Sequence, residues 1–376
     1  MFSSAVIPLH KLKIWVLAPY LQTNDANIDY YYDFTQSIEE YTRCFATLGL
    51  HWGWQPVTML TYADVIKKIK EEKDAKEYFP VVLNICDGDE VNGTPGISII
   101  KLLNKYQLVY TGADEYFYNI TTSKIKMKGA FDTANVPTPT WQPIYTKDDY
   151  PKNIFEKLGR SIIVKPSVSG GSMGVGVKNV VGNETELKEQ ITKMFDGYRG
   201  WDLASGGMIA ESFITGPEYT VFISGCYNDR ENAKVYTPVE RVFHASLPDK
   251  EKFLSFDRLW EIYEEETAMP NEANFYGYGL PDESLINEIK KISWDAYAAC
   301  KGMGYTRIDV RMDALTKKMF VLEVNAQCGI SEDEDYTSIG AILKVNNVGF
   351  ATLVAEIIND AIVRSKYVIE KIKLNT

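Results

Sequence analysis

Residues 306–325, TRIDVRMDALTKKMFVLEVN, read as two strands joined by a short polar turn. Strand side chains alternate between faces, so Arg307, Asp309 and Arg311 share one face of the first strand. Glu323 and Asn325 share a face of the second, Met319 to Asn325. Paired side by side, the strands turn Asp309 and Glu323 towards one cleft. Two carboxylates and an amide oxygen are hard donors that suit Mg²⁺, leaving positions for phosphate and water. The same spacing fits a surface ion-pair ladder with Arg307 and Arg311. The two strands alone do not choose between these readings.

Upstream lies IVKPSVSGGSMGVGV, residues 163–177, a lysine-bearing strand followed by Gly170, Gly171, Gly174 and Gly176 with Ser169 and Ser172. Glycines let backbone N–H groups approach phosphate oxygens, and Lys165 supplies charge. No Gly-Lys-Ser/Thr follows, so this is not a P-loop, and the glycine order is not GxGxxG. A plain hairpin turn has the same composition. AESFITGPEYTV, residues 210–221, places Glu211 to Ile214 at a strand end and Glu218 after a Gly-Pro turn. Residues of about 238–282 show little periodicity and many aromatics, as a lid or binding loop would. Helices are expected over Thr35–Leu48, Thr121–Ala134, Asn183–Phe195 and Glu283–Gly302, with a last one from about Gly349.

The N-terminal third alternates strand and helix. KIWVLA (Lys13–Ala18), FPVVLNIC (Phe79–Cys86) and LVYTG are apolar runs, and ISIIKLLNKY between the last two is helical in pattern. Such alternation predicts an open α/β layer on a parallel sheet. Ligands bind beyond the carboxyl ends of its strands, where DGDEVNGTPG falls.

Composition narrows the function. At 376 residues the chain is long enough for two or three domains, and its formal charge is −11. An acidic chain without a Lys/Arg cluster is a poor partner for nucleic acid. The five cysteines, Cys44, Cys86, Cys226, Cys300 and Cys328, are widely spaced, which argues against a zinc motif or disulfide scaffold and for a reducing compartment. No run reaches membrane-spanning length, so a cytoplasmic protein is expected. None of the three histidines falls in a motif, and no Ser–His–Asp order is present.

In order and spacing, the glycine loop, GPEYTV and RIDV…LEVN resemble the ATP-grasp superfamily, and most of all its D-alanine–D-alanine ligases. NGTPG, VYTGADEYF and TTSK fit that family's N-terminal part. The resemblance implies an ATP-grasp fold of class α/β (α+β): an N-terminal α/β substrate domain over 1–121, a central subdomain over 122–211, and a C-terminal subdomain with lid and metal site over 212–376. It implies that Lys124 and Lys165 contact ATP phosphates, covered by Gly170, Gly171 and Ser172. Glu211, Phe213 and Ile214 would hold adenine, and Glu218 the ribose. Asp309, Glu323 and Asn325 would bind two Mg²⁺ ions, with Mn²⁺ as an alternative. Arg307 and the Gly329 N–H would stabilise the developing negative charge, and Arg258 stands where the family has a lid lysine. A substrate carboxylate would be phosphorylated and then attacked by an amine. A homodimer is also implied.

The substrate loops depart from the family. Its first-loop glutamate is replaced within APYLQTNDANID, with Asp25 or Asp29 as substitutes, and its second-loop histidine near Cys86 and Asp87. The acceptor loop reads CGISEDEDYTS, and Glu332, Asp333, Glu334 and Asp335 would repel a carboxylate. An acceptor that is cationic or lacks a nearby carboxylate, such as a basic amino acid or a polyamine, is therefore expected, with Glu332 and Glu334 facing it; a solvated acidic loop is the alternative. Two other functions fit the motifs: a non-catalytic ATP-binding scaffold, or a carboxylate kinase that stops at the phosphorylated product.

Overall fold

The apolar runs of the first third build a four-stranded parallel sheet in the computed structural model, which describes residues 6–21, 33–149 and 152–369. Its strands are β1 (Leu12–Pro19), β2 (His51–Val57), β3 (Phe79–Asn84) and β4 (Val109–Tyr110), in the order β2-β1-β3-β4. β2, and the helix Tyr62–Ala75 after it, have no counterpart in the sequence reading. Gly53 and Pro56 weaken β2 as a strand pattern, and Pro56 is tolerated because β2 is an edge. Helices cover both faces. Leu12, Ile14 and Val16 pack with Tyr41 and Phe45 of helix Thr35–Leu48 and with Leu353 and Ile357 of helix Phe350–Arg364. Leu17 and Val82 pack with Ile66, Ile99 and Leu103 on the other side. That two-sided burial explains the near-continuous apolar strands.

The segment after β3 folds back on itself. Gly88 N–H donates to Pro95 O at 3.0 Å, and a Cβ on Gly96 would lie 1.9 Å from Gly88 O. Backbone atoms on both sides cannot yield cheaply. Gly96→Ala is therefore expected to destabilise the protein by roughly 1–3 kcal/mol, read as a lower urea midpoint; an unchanged midpoint would contradict this packing.

A second, antiparallel sheet has β5 (Trp141–Ile144), β6 (Ile162–Pro166), β7 (Val180–Val181) and β8 (Met208–Ser212), in the order β5-β8-β6-β7. The glycine loop joins β6 to β7, whose pairing is confined to Ile162↔Val181 and Ile163↔Val180. The third sheet is antiparallel: β9 (Glu218–Ser224), β10 (Lys234–Val235), β11 (Val239–Phe243), β12 (Tyr276–Gly279), β13 (Tyr305–Met312) and β14 (Met319–Ala326). Its path is β12-β11-β9-β13-β14, with β10 on β9. On one face Ile308, Val310, Val321 and Val324 pack against Phe131, Ile289 and Ala296 of two helices. The opposite face carries the charged residues.

Three expectations shift. The helix expected over Thr121–Ala134 is two helices, Glu115–Thr121 and Lys124–Ala134, the second capped by Ser123, whose hydroxyl accepts from Lys126 N–H at 3.4 Å. The helix from Glu283 ends at Ala299, and Gly302 folds back so closely that a Cβ there would meet the Tyr297 ring at 1.9 Å. Residues 238–282 are not wholly irregular, because β11 and β12 pair at their two ends. All five cysteines are free thiols. Among the described residues no single helix is long and apolar enough to cross a membrane.

Candidate active site

Asp309 on β13 stands directly opposite Glu323 on β14, and Arg307 opposite Asn325. The register shifts between Asp309 and Val310, which pairs with Val321, leaving Leu322 as an extra residue. This bulge lets Leu322 and Glu323 both face the cavity, as bulges beside functional sites often do. Asp309 Oδ2 accepts from Asn325 Nδ2 at 3.0 Å and from Arg307 at 3.2 Å, while its Oδ1 accepts from Thr220 Oγ1 at 3.0 Å. Burial alone would raise its carboxyl, but the Arg307 and Arg241 guanidiniums hold it below the ordinary value. Glu323 pairs with Lys124 at 3.0 Å. The donors are thus two carboxylates and one amide: Asp309 carries Arg307 and the Asn325 N–H, and Glu323 carries Lys124. Mg²⁺ suits so small a protein set because it keeps several waters and phosphate oxygens of its own.

The nucleotide side comes from other elements. Ser123 caps its helix, so Lys124 opens the first turn and reaches the loop, donating to Ser169 O at 3.2 Å. Lys165 on β6 pairs with Glu211 on β8, a carboxylate 2% exposed that also meets Lys128 at 3.0 Å. Burial alone would raise Glu211, but Lys128 and then Lys165 lower it from 4.5 to about 2. The depressed carboxyl contributes stability above pH 4.5 that is lost as pH falls towards 2. Melting temperature is accordingly expected to fall through that window, and Glu211→Gln to remove this component. A variant with the wild-type acid profile would speak against it.

One cavity of about 560 Å³ gathers these groups. Lys124, Lys165, Gly170, Gly171 and Ser172 line it beside Glu211, Phe213, Ile214 and Glu218. Arg307, Asp309, Glu323, Asn325 and Gly329 line it from the third sheet. Glu218 is gripped on its two oxygens by Arg241 and Arg311, all three buried. The glycine loop is tied to the lid: Ser172 Oγ donates to Leu254 O at 2.9 Å, and Trp260 Nε1 to Gly171 O at 3.0 Å.

Four expected residues fall elsewhere. Arg258 does not line the cavity; it is 5% exposed and pairs inside the lid with Glu251 at 3.0 Å and Glu266 at 3.1 Å. Two acids within eight residues draw its guanidinium inward. Glu332 pairs with Arg43 and Glu334 with Lys344 at 2.7 Å, and neither lines the cavity. Asp333 accepts from the N–H groups of Asp335 and Tyr336, turning the loop. Two of the four acids that suggested a cationic acceptor, Glu332 and Glu334, are thus paired with cations at the surface. Asp87 lies outside the cavity lining too; its carboxyl is reachable by solvent but set in dense protein, and desolvation pushes it up to about 6. Asp25 and Asp29 lie outside the described residues.

The structure also adds residues. Arg241 lines the cavity between Glu218 and Asp309, and an arginine in the inward register of VERVF was its sequence signal. Tyr276 and Tyr278 of β12 line the cavity near it. Glu40, 1% exposed, sits on the apolar stripe of its helix and accepts from Ser331 Oγ at 2.7 Å, a cavity residue.

Comparison with known proteins gives the family and the fold. Residues 131–359 match the family model described as "D-ala D-ala ligase C-terminus". The chain belongs to that family. A D-alanine–D-alanine ligase of Marinomonas sp. is 25% identical over 260 residues, covering 69% of this chain and 71% of that one. The ligase of Clostridium beijerinckii is 22% identical over 324 residues, 81% and 94% of the two chains. In fold, the chain is similar to the D-alanine–D-alanine ligase of Bacillus anthracis complexed with ATP, with TM-score 0.64, 18% identity, and 94% and 98% coverage. The Coxiella burnetii ligase gives TM-score 0.63 at 17% identity, covering 95% and 96%. The fold is that of the ATP-grasp ligases.

Proposed function

We propose that this protein is an ATP-dependent ligase that activates a carboxylate as an acyl phosphate and joins it to an amine. The observation that carries the reading is convergence: two lysines and a glycine loop face Arg307, Asp309, Glu323 and Asn325 across one cavity. Membership of the ligase family and the ATP complex of a protein with this fold support it.

In this reading Lys124 and Lys165 draw the triphosphate against the loop, and Glu211 and Phe213 border the base. Magnesium, held by Asp309, Glu323 and Asn325, would neutralise phosphate charge. The substrate carboxylate oxygen attacks the γ-phosphorus as the bond to ADP breaks. The amine then attacks the acyl carbon, and phosphate leaves. Arg307 faces the oxygens on which negative charge grows, and fixed cations of this kind account for much of the acceleration. Among the described residues, the cavity's substrate side carries Ser37, Ser331, Tyr276, Tyr278 and Tyr336, a rim of hydroxyl groups.

The closed lid keeps water from the acyl phosphate. Glu266 is its keystone, accepting from Val177 N–H at 2.9 Å and Ser255 Oγ at 2.7 Å and pairing with Arg258. Glu266→Gln is expected to raise ADP release per amide formed by roughly tenfold, measured as the ratio of ADP to condensed product. An unchanged ratio would mean the latch does not exclude water.

A coupled ADP assay against a panel of amino acids and amines tests the function. The expected result is ADP release that needs both a carboxylate and an amine, with an amide-linked product by mass spectrometry. A phosphorylated product without amide would make the protein a kinase. Failure to take up ATP with magnesium present would remove the reading altogether.

A further inference from the structure

One fully buried cation has no part in the mechanism above. Lys128 is 1% exposed, follows Lys124 by one turn of the same helix, and does not line the cavity. An ammonium has three N–H donors, and Lys128 Nζ has three oxygen neighbours. They are Thr138 Oγ1 at 2.5 Å, Val321 O at 3.4 Å and Glu211 Oε2 at 3.0 Å. Two of these belong to the scaffold, so the ammonium is pinned in place. The third is the carboxylate that faces the cavity.

Glu211 has a second cation, Lys165, on its other oxygen. The two differ in kind. Lys165 lines the cavity and stands beside the glycine loop, where a triphosphate would compete for it. Lys128 is out of reach of any ligand and stays with Glu211 throughout. A buried carboxylate left without its cation takes up a proton rather than remain charged.

We propose that Lys128 is a positioning residue that keeps Glu211 ionised, so that the nucleotide site accepts 6-aminopurines and turns away 6-oxopurines. The inference rests on the nucleotide-site reading given above. An ionised carboxylate only accepts hydrogen bonds. It matches the exocyclic amine of adenine and opposes the carbonyl of hypoxanthine. A protonated carboxyl both donates and accepts, so it serves either base. The choice between bases is then made by a lysine that touches neither.

The test compares ATP and ITP, each titrated with Mg²⁺ into the full-length protein by calorimetry. Wild type is expected to favour ATP by at least about tenfold, since a site built around one hydrogen-bond pattern rejects the reversed one. Lys128→Met should cut that preference to about twofold, largely by tighter ITP binding. Thr138→Val is nearly isosteric, lies outside the cavity lining and loosens the ammonium without removing it. It should move the ratio the same way by a smaller factor, and it decides the matter if Lys128→Met fails to fold. A merely structural lysine would weaken both nucleotides equally. Equal weakening, or an unchanged ATP/ITP ratio in Thr138→Val and any folded Lys128→Met, overturns the role of Lys128 alone. A wild-type protein that binds neither nucleotide overturns the nucleotide site and this inference with it.

Discussion

Glu323→Gln is expected to lower substrate-dependent ADP formation on the order of 10³-fold while leaving the fold intact. The substitution keeps the shape of the side chain and removes one negative charge from a set of two carboxylates and an amide. Glu323 stands opposite Asp309 and holds Lys124 at 3.0 Å, so it serves both the metal position and the phosphate lysine. Its side chain is 29% exposed, which makes a neutral amide tolerable for folding. The check is ADP release under saturating ATP and Mg²⁺, with thermal melting alongside. Activity within a few-fold of wild type, in a protein that melts normally, would show that β13 and β14 carry an ion-pair ladder and no metal site.

Glu218→Ala is expected to cost on the order of 3–5 kcal/mol of stability. Its carboxylate is the shared partner of Arg241 and Arg311, whose side chains are 2% and 3% exposed. Removing it leaves Arg311 buried with no carboxylate and Arg241 with only Asp309, at 3.9 Å. Arg311 keeps its bonds to Ile214 O and Lys252 O, but carbonyls do not neutralise a charge. Urea denaturation measures the loss. A change below about 1 kcal/mol would mean that water or an anion reaches the arginine pair and screens it. The cluster also explains how Glu218 stays rigid at the cavity wall whatever it contacts there.

Much of the site was legible because its motifs are local. Asp309 and Glu323 come from neighbouring strands joined by a short turn, and strand alternation is a property of the backbone, so their common face follows from spacing. The glycine loop and Lys165 are likewise contiguous. Arg241 and Lys128 were not singled out, though an arginine in the inward register of β11 and a lysine one turn after Lys124 are both visible in the sequence. Each acquires its role from a residue far along the chain, Glu218 and Glu211 respectively. Arg258, Glu332 and Glu334 stand outside the cavity lining for the reverse reason. Their charges suggested a ligand, but Glu266, Arg43 and Lys344 meet them in space.

The amino-acid sequence by itself determined the alternating α/β character of the N-terminal third, the family resemblance, and the glycine-loop and paired-carboxylate motifs of the cavity, since apolar period, glycine content and short motifs are written within a few residues. Only the tertiary structure decided which charges remain available to a ligand. A carboxylate is free or neutralised according to what packs within about 4 Å of it, and chain neighbours do not settle that. The second arginine on Glu218 and the pairing of Glu332 with Arg43 arise from contacts between segments far apart in the chain.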